Sequence, residues 1–582
     1  MTEKTEPTIA DRPGVMFIHS CHVPNITSDG RDAVVVKEKI VHPDGTTTPN
    51  IRVIRDPKVE FGVTKKGAQT HEYKKEAEQL SHLNRYVVPA AKLPQELAKV
   101  LYGYIPRRPQ SVPRLCNSPY VYGADISAET HLKARYQDRF AQSGRPVQPV
   151  TTGVLDVETS VFPGNFGELT IISVTHEHKV YTAVVEHAFY VLDTSGKRHP
   201  GKIEDLARMS HEVLTPKIAQ VFDLKTFSHL KGKKLPFEFE YYVGKTPADI
   251  LHWVFGKIHT NHTDFVGGWN IDYDLNTIFR MCKDFNIPPE DLFCHPSVPR
   301  ECRYVRYALD NKDVPHFTRK WHWLHSAGTA QFYDAMCLYS VLRTVTGFET
   351  SYKLDDILEK NIGVGKLSFP DLPDASVLSD TDWHRHMQSK ESYRYIIYNQ
   401  WDVISVQLME WKNTDVQSMY QLSGVSPLSK YTRQTRKAAD TIYFEWLKKG
   451  VMLAAPGAEM GSPWDKQIGK VGGAVLRPEL MDMAGMHMLT DAPGIETMMH
   501  PFVNDVDFSA MYPTVGAAMN ISKETKRWSL LSIDGKRDDR LYSLMVSTTE
   551  NAVHIGATYF GLPNYSQMSE LFSEHRRNTS AS

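Results

Sequence analysis

Val154-Leu-Asp-Val-Glu-Thr159 decides the fold, because it combines a buried-strand pattern with two carboxylates on one face. The apolar residues of this stretch predict a buried β-strand. Side chains alternate between faces along a strand, so Asp156 and Glu158 point the same way. Two buried carboxylates on one face need a neutralising partner. Two divalent cations would serve, and oxygen ligands favour Mg²⁺ or Mn²⁺ over zinc. For Asp-x-Glu alone, a solvated surface pair is the commoner explanation.

The patterns around this stretch predict a mixed α/β sandwich. Apolar, β-rich runs occupy residues 152–157 and 169–174, and residues 180–191 continue as a hairpin partner. Strands that come first and helices that then frame a sheet indicate this architecture. The predicted helices cover residues 248–258, 274–285, 331–345, 354–360 and 389–410.

Two further acidic motifs follow along the chain, Asn270-Ile-Asp-Tyr-Asp274 and Tyr398-Asn-Gln-Trp-Asp402. Asn is a favoured N-cap, and a helix starting at Asn270 would place Asp274 on the same face. We place Asp272 outward. Tyr398 and Asp402 also share a helix face. Taken alone, the first motif is equally consistent with a capped helix bearing a surface acid. The second alone is better explained by a core tyrosine beside a surface acid.

In this order, the three motifs resemble the exonuclease motifs of family B DNA polymerases of the replicative bacteriophage, T-even-like type. Those motifs are Asp-x-Glu on a strand, Asn-x₂₋₃-(Phe/Tyr)-Asp and Tyr-x₃-Asp. Local context agrees at Gly268-Trp269 and at Ser351-Tyr-Lys-Leu-Asp355. The resemblance implies an RNase H-like 3′–5′ exonuclease domain that uses two Mg²⁺ or Mn²⁺ ions to hydrolyse phosphodiester bonds.

The resemblance also implies a role for each residue. Asp156 would bridge both ions, Glu158 and Asp402 would hold the ion that generates hydroxide, and Asp274 would complete the coordination of the second ion. Tyr398 would align the attacking water, and Asn270 would contact DNA. The single-stranded 3′ end of a primer-template would enter past aromatic platforms and a basic groove.

A second resemblance lies further along, at Asp507-Phe-Ser-Ala-Met-Tyr512-Pro-Thr514. It is similar to the first metal motif of the polymerase palm, Asp-x-x-Ser-Leu-Tyr-Pro-Ser, with Ala510 in place of the usual Ser. It implies that Asp507 is a palm metal ligand, that Phe508 belongs to the palm site and that Tyr512 excludes a ribose 2′-hydroxyl.

The linker before this motif, Lys470-Val-Gly472-Gly473, is similar to the Tyr-x-Gly-Gly that precedes the palm in this family. Lys470 replaces the tyrosine. Gly472 and Gly473 would allow close approach to the DNA backbone. An ordinary hairpin turn is the alternative.

The sequence lacks the family's second palm motif, Asp-Thr-Asp-Ser, and its finger motif, Lys-x₃-Asn-Ser-x-Tyr-Gly. Only residues 515–582 follow the first palm motif. We therefore expect a split polymerase whose second chain supplies the rest of the palm, the fingers and the thumb. dNTPs would bind only with that partner, and a sliding clamp is a further candidate partner.

Four domains are expected. They are an N-terminal domain (1–148), the exonuclease domain (149–412), a helical linker that returns to the N-terminal domain and the start of the palm (413–500), and an incomplete palm (501–582).

Composition is that of an ordinary globular protein, with 41% hydrophobic and 23% charged residues and a net charge of −1. We expect no membrane span, no signal peptide and a cytoplasmic location, in the host cytoplasm if the chain is phage-encoded. Six cysteines do not form a disulfide framework. Cys282, Cys294, His295 and Cys302 lack a close Cys-x-x-Cys pair, so a zinc site is the minor alternative.

Several other segments carry local predictions. Residues 33–40 and 50–54 are strand-like, and residues 70–83 resemble a polar helix. Residues 105–114 form a Pro/Arg-rich loop, better explained as a solvated connector than as a phosphate contact. Gly363-Val-Gly-Lys366 fails the P-loop pattern because Leu367 follows, and predicts a turn.

Residues 432–449 predict an amphipathic helix that Gly450 caps. Arg433, Arg436 and Lys437 share one face of this helix. A solvated face is the commoner explanation for these cations, and a track for DNA is the alternative.

The leading hypothesis is the N-terminal subunit of a split family B replicative DNA polymerase that carries the proofreading exonuclease. The first rival is a stand-alone exonuclease with a palm remnant. The second is a non-catalytic scaffold that binds DNA or a replication clamp.

Overall fold

A computed structural model describes residues 14–70, 74–222, 237–310, 316–344, 347–369, 371–372 and 379–457, together with three strands between residues 527 and 556. The chain divides into two compact units, Met1–Trp464 and Asp465–Ser582. The predicted site residues Gly472, Gly473, Asp507, Phe508 and Tyr512 lie outside the described residues. No helix among the described segments is both long enough and apolar enough to cross a membrane.

The strands of the first unit are short to medium in length and fall into several sheets. They are β1 Val15–Val23, β2 Ala33–Val41, β3 Thr47–Arg55, β4 Lys58–Thr64, β5 Ala77–Gln79, β6 Leu83–Pro89, β7 Val121–Tyr122, β8 Thr152–Thr159, β9 Leu169–His176, β10 Lys179–Val185, β11 Tyr190–Leu192, β12 Arg198–Pro200, β13 Glu238–Gly244, β14 Phe265–Gly268, β15 Val305–Asp310, β16 Trp321–Ser326, β17 Gln331–Asp334 and β18 Val451–Leu453.

The helices of this unit mostly follow or cover those strands. They are α1 Leu93–Tyr102, α2 Val112–Leu115, α3 Ala128–Gln142, α4 Ile203–Phe222, α5 Pro247–Thr260, α6 Ile271–Asp284, α7 Pro289–Phe293, α8 Ala335–Leu342, α9 Leu354–Ile362, α10 Asp380–Lys390, α11 Ser392–Asn413, α12 Asp415–Leu422 and α13 Gln434–Lys448. In the second unit, β19 Arg527–Leu531, β20 Ser543–Thr548 and β21 Asn551–Gly556 form an antiparallel sheet.

An eight-stranded mixed sheet dominates the first unit, in the order β13-β10-β9-β8-β14-β17-β16-β15. The mixed α/β class predicted from the sequence is confirmed. β8 lies inside the sheet, antiparallel to β9 and parallel to β14. The predicted hairpin is present, because β9 and β10 pair antiparallel.

The alternation of β8 sorts its side chains between two apolar layers. Val154 packs in the layer that contains α11, whereas Leu155 and Val157 pack in the layer that contains α5 and α6. Asp156 and Glu158 alternate with Leu155 and Val157, so they face α11. The alternation along the strand therefore places both carboxylates between β8 and α11.

Smaller sheets precede the large one. β1, β2 and β3 form one antiparallel sheet, and β6, β4 and β7 form another. β18 pairs with β5, so the chain returns to the N-terminal region after α13. Gly450 follows α13 at φ +83°, the left-handed conformation that the predicted C-cap requires.

Three secondary-structure predictions were wrong in part. The helix predicted at 331–345 begins only at Ala335, because Gln331–Asp334 forms β17, whose apolar residues are buried inside the sheet. Within the stretch predicted as a polar helix at 70–83, the described residues form β5 and a 3₁₀ turn at Leu80–His82. The helix predicted at 389–410 is interrupted at Glu391, where α10 ends and α11 starts.

The cysteine cluster does not form a zinc site. Cys282 packs among apolar residues with α5 and α6, whereas Cys294 and Cys302 pack in a different apolar layer with β1 and β2. The burial of Cys294 raises the pKa of its thiol to about 11. A thiol in this setting behaves as a small apolar side chain.

Candidate active site

The three sequence motifs meet at one cavity of about 280 Å³. β8 provides Asp156 and Glu158, the first turn of α6 provides Asp274, and α11 provides Asp402. Tyr398 and Asn270 line the same cavity, so the structure brings together every predicted exonuclease residue that it describes.

Asp156 and Glu158 are each held by a side chain of α11. Asn399 donates from Nδ2 to Oδ2 of Asp156 over 2.6 Å, and the Tyr395 hydroxyl donates to Oε2 of Glu158. Residues 395 and 399 are one helical turn apart and share a face. The helix therefore fixes both strand carboxylates in a defined orientation.

Asp274 lies against the backbone of β8. Its side chain is buried, and its Oδ1 accepts a hydrogen bond of 3.2 Å from the Val157 amide. A Cβ atom at Gly268 would stand 3.1 Å from Oδ2 of Asp274 and closer still to Ile271. Glycine at the end of β14 thus makes room for the carboxylate.

Asn270 precedes α6 as predicted, but it does not cap the helix. Its side chain makes no capping hydrogen bond, and its backbone lies in the left-handed region at φ +65°. Non-glycine residues held in this region cluster at functional sites. The Asn270 side chain is therefore exposed and borders the cavity, and it makes no hydrogen bond to the helix end.

Lys366 enters the site from the turn after α9. Its Nζ lies 2.8 Å from Oδ2 of Asp402 and 2.8 Å from the Tyr398 hydroxyl. The other oxygen of Asp402, Oδ1, is buried without a hydrogen-bond partner in the part of the chain that the structure describes. The Asp402 carboxylate is therefore only half satisfied by protein groups.

The turn that carries Lys366 is fixed from two sides. The Lys366 amide donates to Oδ1 of Asp355 over 2.5 Å, and the Trp401 indole donates to the Gly365 carbonyl over 2.9 Å. A Cβ at Gly365 would lie 2.4 Å from that Asp355 oxygen. The turn predicted at 363–366 is confirmed, with Gly363 at φ +68° ending α9.

The carboxylates of the cavity raise one another's pKa. Burial raises the pKa of Asp156 well above its usual value, and the charges of Asp274 and Asp402 raise it further. Burial likewise raises the pKa of Asp274 and of Asp402, although Lys366 partly opposes the rise at Asp402. Packing this much negative charge together is unfavourable unless a ligand supplies positive charge.

The two tyrosines remain protonated at neutral pH. Burial raises the pKa of Tyr395, and the Glu158 carboxylate adds to the shift. Burial and then Asp402 raise the pKa of Tyr398. Each hydroxyl is consequently a hydrogen-bond donor toward the carboxylates or a bound water. For Lys366, burial alone would lower the ammonium pKa, but Asp402 and Tyr398 raise it well above the usual value.

The donor set fits divalent cations, although the geometry is not that of a closed metal centre. Within the described residues, no three His, Cys, Asp or Glu side chains stand at the spacing of a metal site. The cavity nevertheless combines four carboxylates and a buried carboxylate oxygen without a hydrogen-bond partner. An all-oxygen set of this kind matches Mg²⁺ or Mn²⁺. An ion could bind Asp402 through Oδ1, the oxygen that Lys366 does not contact.

Tyr395, Asn399, Lys366 and Asp334 are among the residues around the site that were not predicted from the sequence. The helix spacing 395, 398, 399, 402 would have revealed Tyr395 and Asn399, because these positions follow i, i+3, i+4, i+7 on one face. Lys366 carries no such signal. Asp334 ends β17, caps α8 through a 2.8 Å bond from the Cys337 amide, and has its pKa raised by burial to about 6.

Residues near the motifs but outside the cluster behave differently. Asp272 accepts a hydrogen bond from the Tyr307 hydroxyl and lies 3.4 Å from Nδ1 of His322, away from the other carboxylates, as its outward placement predicted. On α13, Arg436 is paired with Asp125 and Asp440. Lys437 is buried over the Tyr431 ring. Arg436 and Lys437 are thus held by protein groups, whereas Arg433, the third cation of the predicted face, precedes α13 and is exposed.

Fold and site together define a mixed α/β protein with a cavity of mutually repelling carboxylates. Comparison with protein-family models gives no match, and no curated protein matches the sequence significantly. The chemistry of the cavity is therefore what indicates the function.

Proposed function

We propose that this chain is a 3′–5′ DNA exonuclease that hydrolyses phosphodiester bonds with the help of two divalent cations. The observation that carries the proposal is the convergence of Asp156, Glu158, Asp274 and Asp402 on one cavity. These residues come from three sequence motifs spread over some 250 positions, and surface acids would have no reason to meet.

The sheet topology supports an RNase H-like domain. The five central strands, taken in chain order as β8, β9, β10, β14 and β17, lie in the spatial order 3-2-1-4-5. The second strand is antiparallel to the other four, and β8, β14 and β17 are parallel. In this arrangement the carboxylates of β8 lie beside the start of α6, where an RNase H-like nuclease holds its acids.

Different side chains would bind the ions, orient the carboxylates and contact the attacking water. Two bound ions would supply an activated water and would stabilise the charge of the leaving oxygen. Asp156, Glu158, Asp274 and Asp402 would hold those ions. Asn399 and Tyr395 orient Asp156 and Glu158. The protonated Tyr398 hydroxyl, one turn from Asp402, can donate to the attacking water.

Once ions bind, the Lys366 ammonium could contact either Asp402 or the substrate phosphate. Without ions, its ammonium compensates Asp402 over 2.8 Å. An ion on Asp402 would compete with that ammonium, which could then contact the substrate phosphate. The turn held by Asp355 and Trp401 keeps Lys366 within reach of both.

The test is degradation of 5′-labelled single-stranded DNA by the full chain in the presence of Mg²⁺ or Mn²⁺. We expect stepwise shortening from the 3′ end, no cleavage of circular single-stranded DNA, and no reaction in excess chelator. D156A/E158A should abolish the reaction, whereas Asp272→Asn, a neighbouring acid outside the cluster, should retain it. A wild-type chain that binds these ions and leaves linear DNA intact would contradict the proposal and favour the non-catalytic scaffold.

The wider proposal is that the chain is the N-terminal subunit of a split family B DNA polymerase of the bacteriophage replicative type. It is supported by the resemblance of residues 507–514 to the first palm motif, which lies outside the described residues. Affinity purification from the source cells followed by primer extension tests it. Recovery of a second chain with dNTP-dependent extension would support a split polymerase. Nuclease activity without partner or extension would leave a stand-alone exonuclease.

A further inference from the structure

A second surface, separate from the carboxylate cavity, has the composition of a nucleic-acid contact. It is the segment Lys99-Val-Leu-Tyr-Gly-Tyr-Ile-Pro-Arg-Arg-Pro-Gln-Ser-Val-Pro-Arg114, here called the Tyr–Arg loop. It runs from the last turn of α1 to α2. None of its residues lines the carboxylate cavity.

The loop exposes aromatic and apolar side chains that a folded protein normally covers. Tyr102, Tyr104 and Ile105 are 46%, 65% and 54% exposed. The rings of Tyr102 and Tyr104 have centroids 6.2 Å apart at an interplanar angle of 37°. The Tyr102 hydroxyl donates to the Gln110 side chain over 3.2 Å, which ties the pair to the far side of the loop. Exposed aromatic groups held together in this way mark a binding surface.

The charge of the loop is one-sided. Residues 97–124 contain no Asp or Glu but include Lys99, Arg107, Arg108 and Arg114, in a chain whose net charge is −1. All four cations are exposed, and none forms an ion pair with a described residue. Asp125, the next acid along the chain, is paired with Arg436.

The backbone of the loop is stiffened before any ligand binds. Prolines at 106, 109 and 113 restrict the segment between the tyrosines and α2. Pre-ordering lowers the entropy lost on binding. A solvated connector needs neither this stiffness nor a pair of exposed rings.

We propose that the Tyr–Arg loop binds single-stranded nucleic acid, with bases stacked on Tyr102 and Tyr104 and phosphates contacted by Arg107, Arg108 and Arg114. Stacking on aromatic rings beside a cationic track is the general mode of single-strand recognition. A duplex hides its base faces, and an acidic protein segment would be bound through its charge, which does not require a pair of exposed rings. The combination therefore favours a single strand over either.

The first experiment measures the affinity of the full chain for fluorescently labelled oligo(dT) at several salt concentrations, in chelator so that the strand stays intact. R107Q/R108Q/R114Q should reduce the slope of log affinity against log salt by about 2, at about 0.7 per phosphate contact. The matched control is Arg208→Gln, which removes an exposed cation that is paired with Asp205 on α4. An unchanged slope in the triple variant would overturn the proposal.

The second experiment isolates the rings. Y102A/Y104A should weaken binding of oligo(dT) by about tenfold or more and leave the weaker binding of duplex DNA unchanged. Phe317→Ala, at a ring that is 52% exposed elsewhere, is the control. Equal losses for single strand and duplex, or competition by polyglutamate as strong as by oligo(dT), would show a purely electrostatic surface and refute the assignment.

Both variants should hydrolyse a minimal phosphodiester, the p-nitrophenyl ester of thymidine 5′-monophosphate, at the wild-type rate. This readout separates the loop from the catalytic cavity. Binding is measured without metal, so a failure of the proposed nuclease activity would leave the result on the loop intact.

Discussion

Two buried acidic regions of this protein differ in how their charge is balanced. In the cavity at the C-terminal end of β8, four carboxylates face one another, and Lys366 forms an ion pair with one of them. Beside the start of β14, Asp264 is buried, and Nζ of Lys39 lies 3.1 Å and Nζ of Lys37 lies 3.9 Å from its oxygens.

The pKa shifts follow this balance. Although burial alone would raise the pKa of Asp264, Lys39 and Lys37 lower it below the usual value. Burial and neighbouring carboxylates raise the pKa of Asp156. Hydrogen bonding does not separate the two regions, because one oxygen of Asp264 and one of Asp402 each lack a hydrogen-bond partner among the described residues. The protein itself supplies two cations to Asp264, whereas among the four cavity carboxylates Lys366 forms an ion pair with Asp402 alone.

The largest expected difference is in catalysis. Asp402→Asn should lower the nuclease rate on the order of 10⁴-fold, because it removes a charge that would hold an ion worth several kcal/mol to the transition state. Asp264→Asn should leave the rate per folded molecule within about twofold. Single-turnover assays on variants purified as folded protein measure both. Equal losses would mean that the two regions do not differ in function.

The second difference is in stability, where the substitution at Asp264 should have the larger effect. Asp264→Asn leaves Lys37 and Lys39 buried without their counter-charge, and should reduce the free energy of unfolding by about 3–5 kcal/mol. Urea denaturation in chelator gives the value. Asp156→Asn, at a buried carboxylate with no cation of its own, is the matched control and should not destabilise. Comparable destabilisation by both would remove the distinction drawn from charge balance.

Metal binding should sharpen the comparison further. At concentrations about 100 times the dissociation constant, Mn²⁺ or Mg²⁺ should stabilise the wild-type chain by about 2.7 kcal/mol. Asp156→Asn and Asp402→Asn should lose this stabilisation, and Asp272→Asn should keep it. Thermal unfolding with and without chelator is the measurement. A metal-dependent shift that survives in both site variants would place the ions elsewhere.

Much of this fold and site could be predicted from local patterns. The alternation around Asp156 and Glu158 predicts both the buried strand and the shared face, because a period of two leaves no other choice. The 3.6-residue period places Tyr398 beside Asp402, and Gly450 marks the end of α13. These features depend on a few consecutive residues, so the sequence contains all the necessary information.

The rest depends on tertiary contacts. Gln331–Asp334 joins the sheet because β14 and β16 flank it, and nothing within the segment itself excludes a helix. Lys366 reaches Asp402 only because Asp355 and Trp401 fix its turn. The Lys39–Asp264 pair joins residues 225 positions apart, and no local pattern reports such a contact. The ion pairs of Arg436 and the burial of Lys437 on α13 are missed for the same reason.

The smallest expected effect is the dependence of stability on pH. It tests whether the supply of cations causes the difference between the cavity carboxylates and Asp264. The pKa of Asp156 is raised on folding, so the folded chain binds more protons than the unfolded chain between the unfolded pKa near 3.8 and the raised value. Stability from this group is therefore lost as pH rises through that window. In chelator at pH 7, the free energy of unfolding of Asp156→Asn should exceed that of the wild type by about 1 kcal/mol or more. This difference should vanish near pH 4.

Asp264 should show the reverse sign. Its pKa is lowered on folding, so its contribution is present above the unfolded pKa and is lost as pH falls through the folded pKa. The deficit of Asp264→Asn relative to the wild type should therefore shrink in acid. His19 and His176 titrate over the same range, with pKa values lowered by burial to about 4. The Asp264 charge partly opposes both shifts, so the two histidines cancel in the comparison of Asp156→Asn with the wild type but not in that of Asp264→Asn. Two pH profiles of the same sign would mean that burial alone, and not the supply of cations, sets the behaviour of both carboxylates.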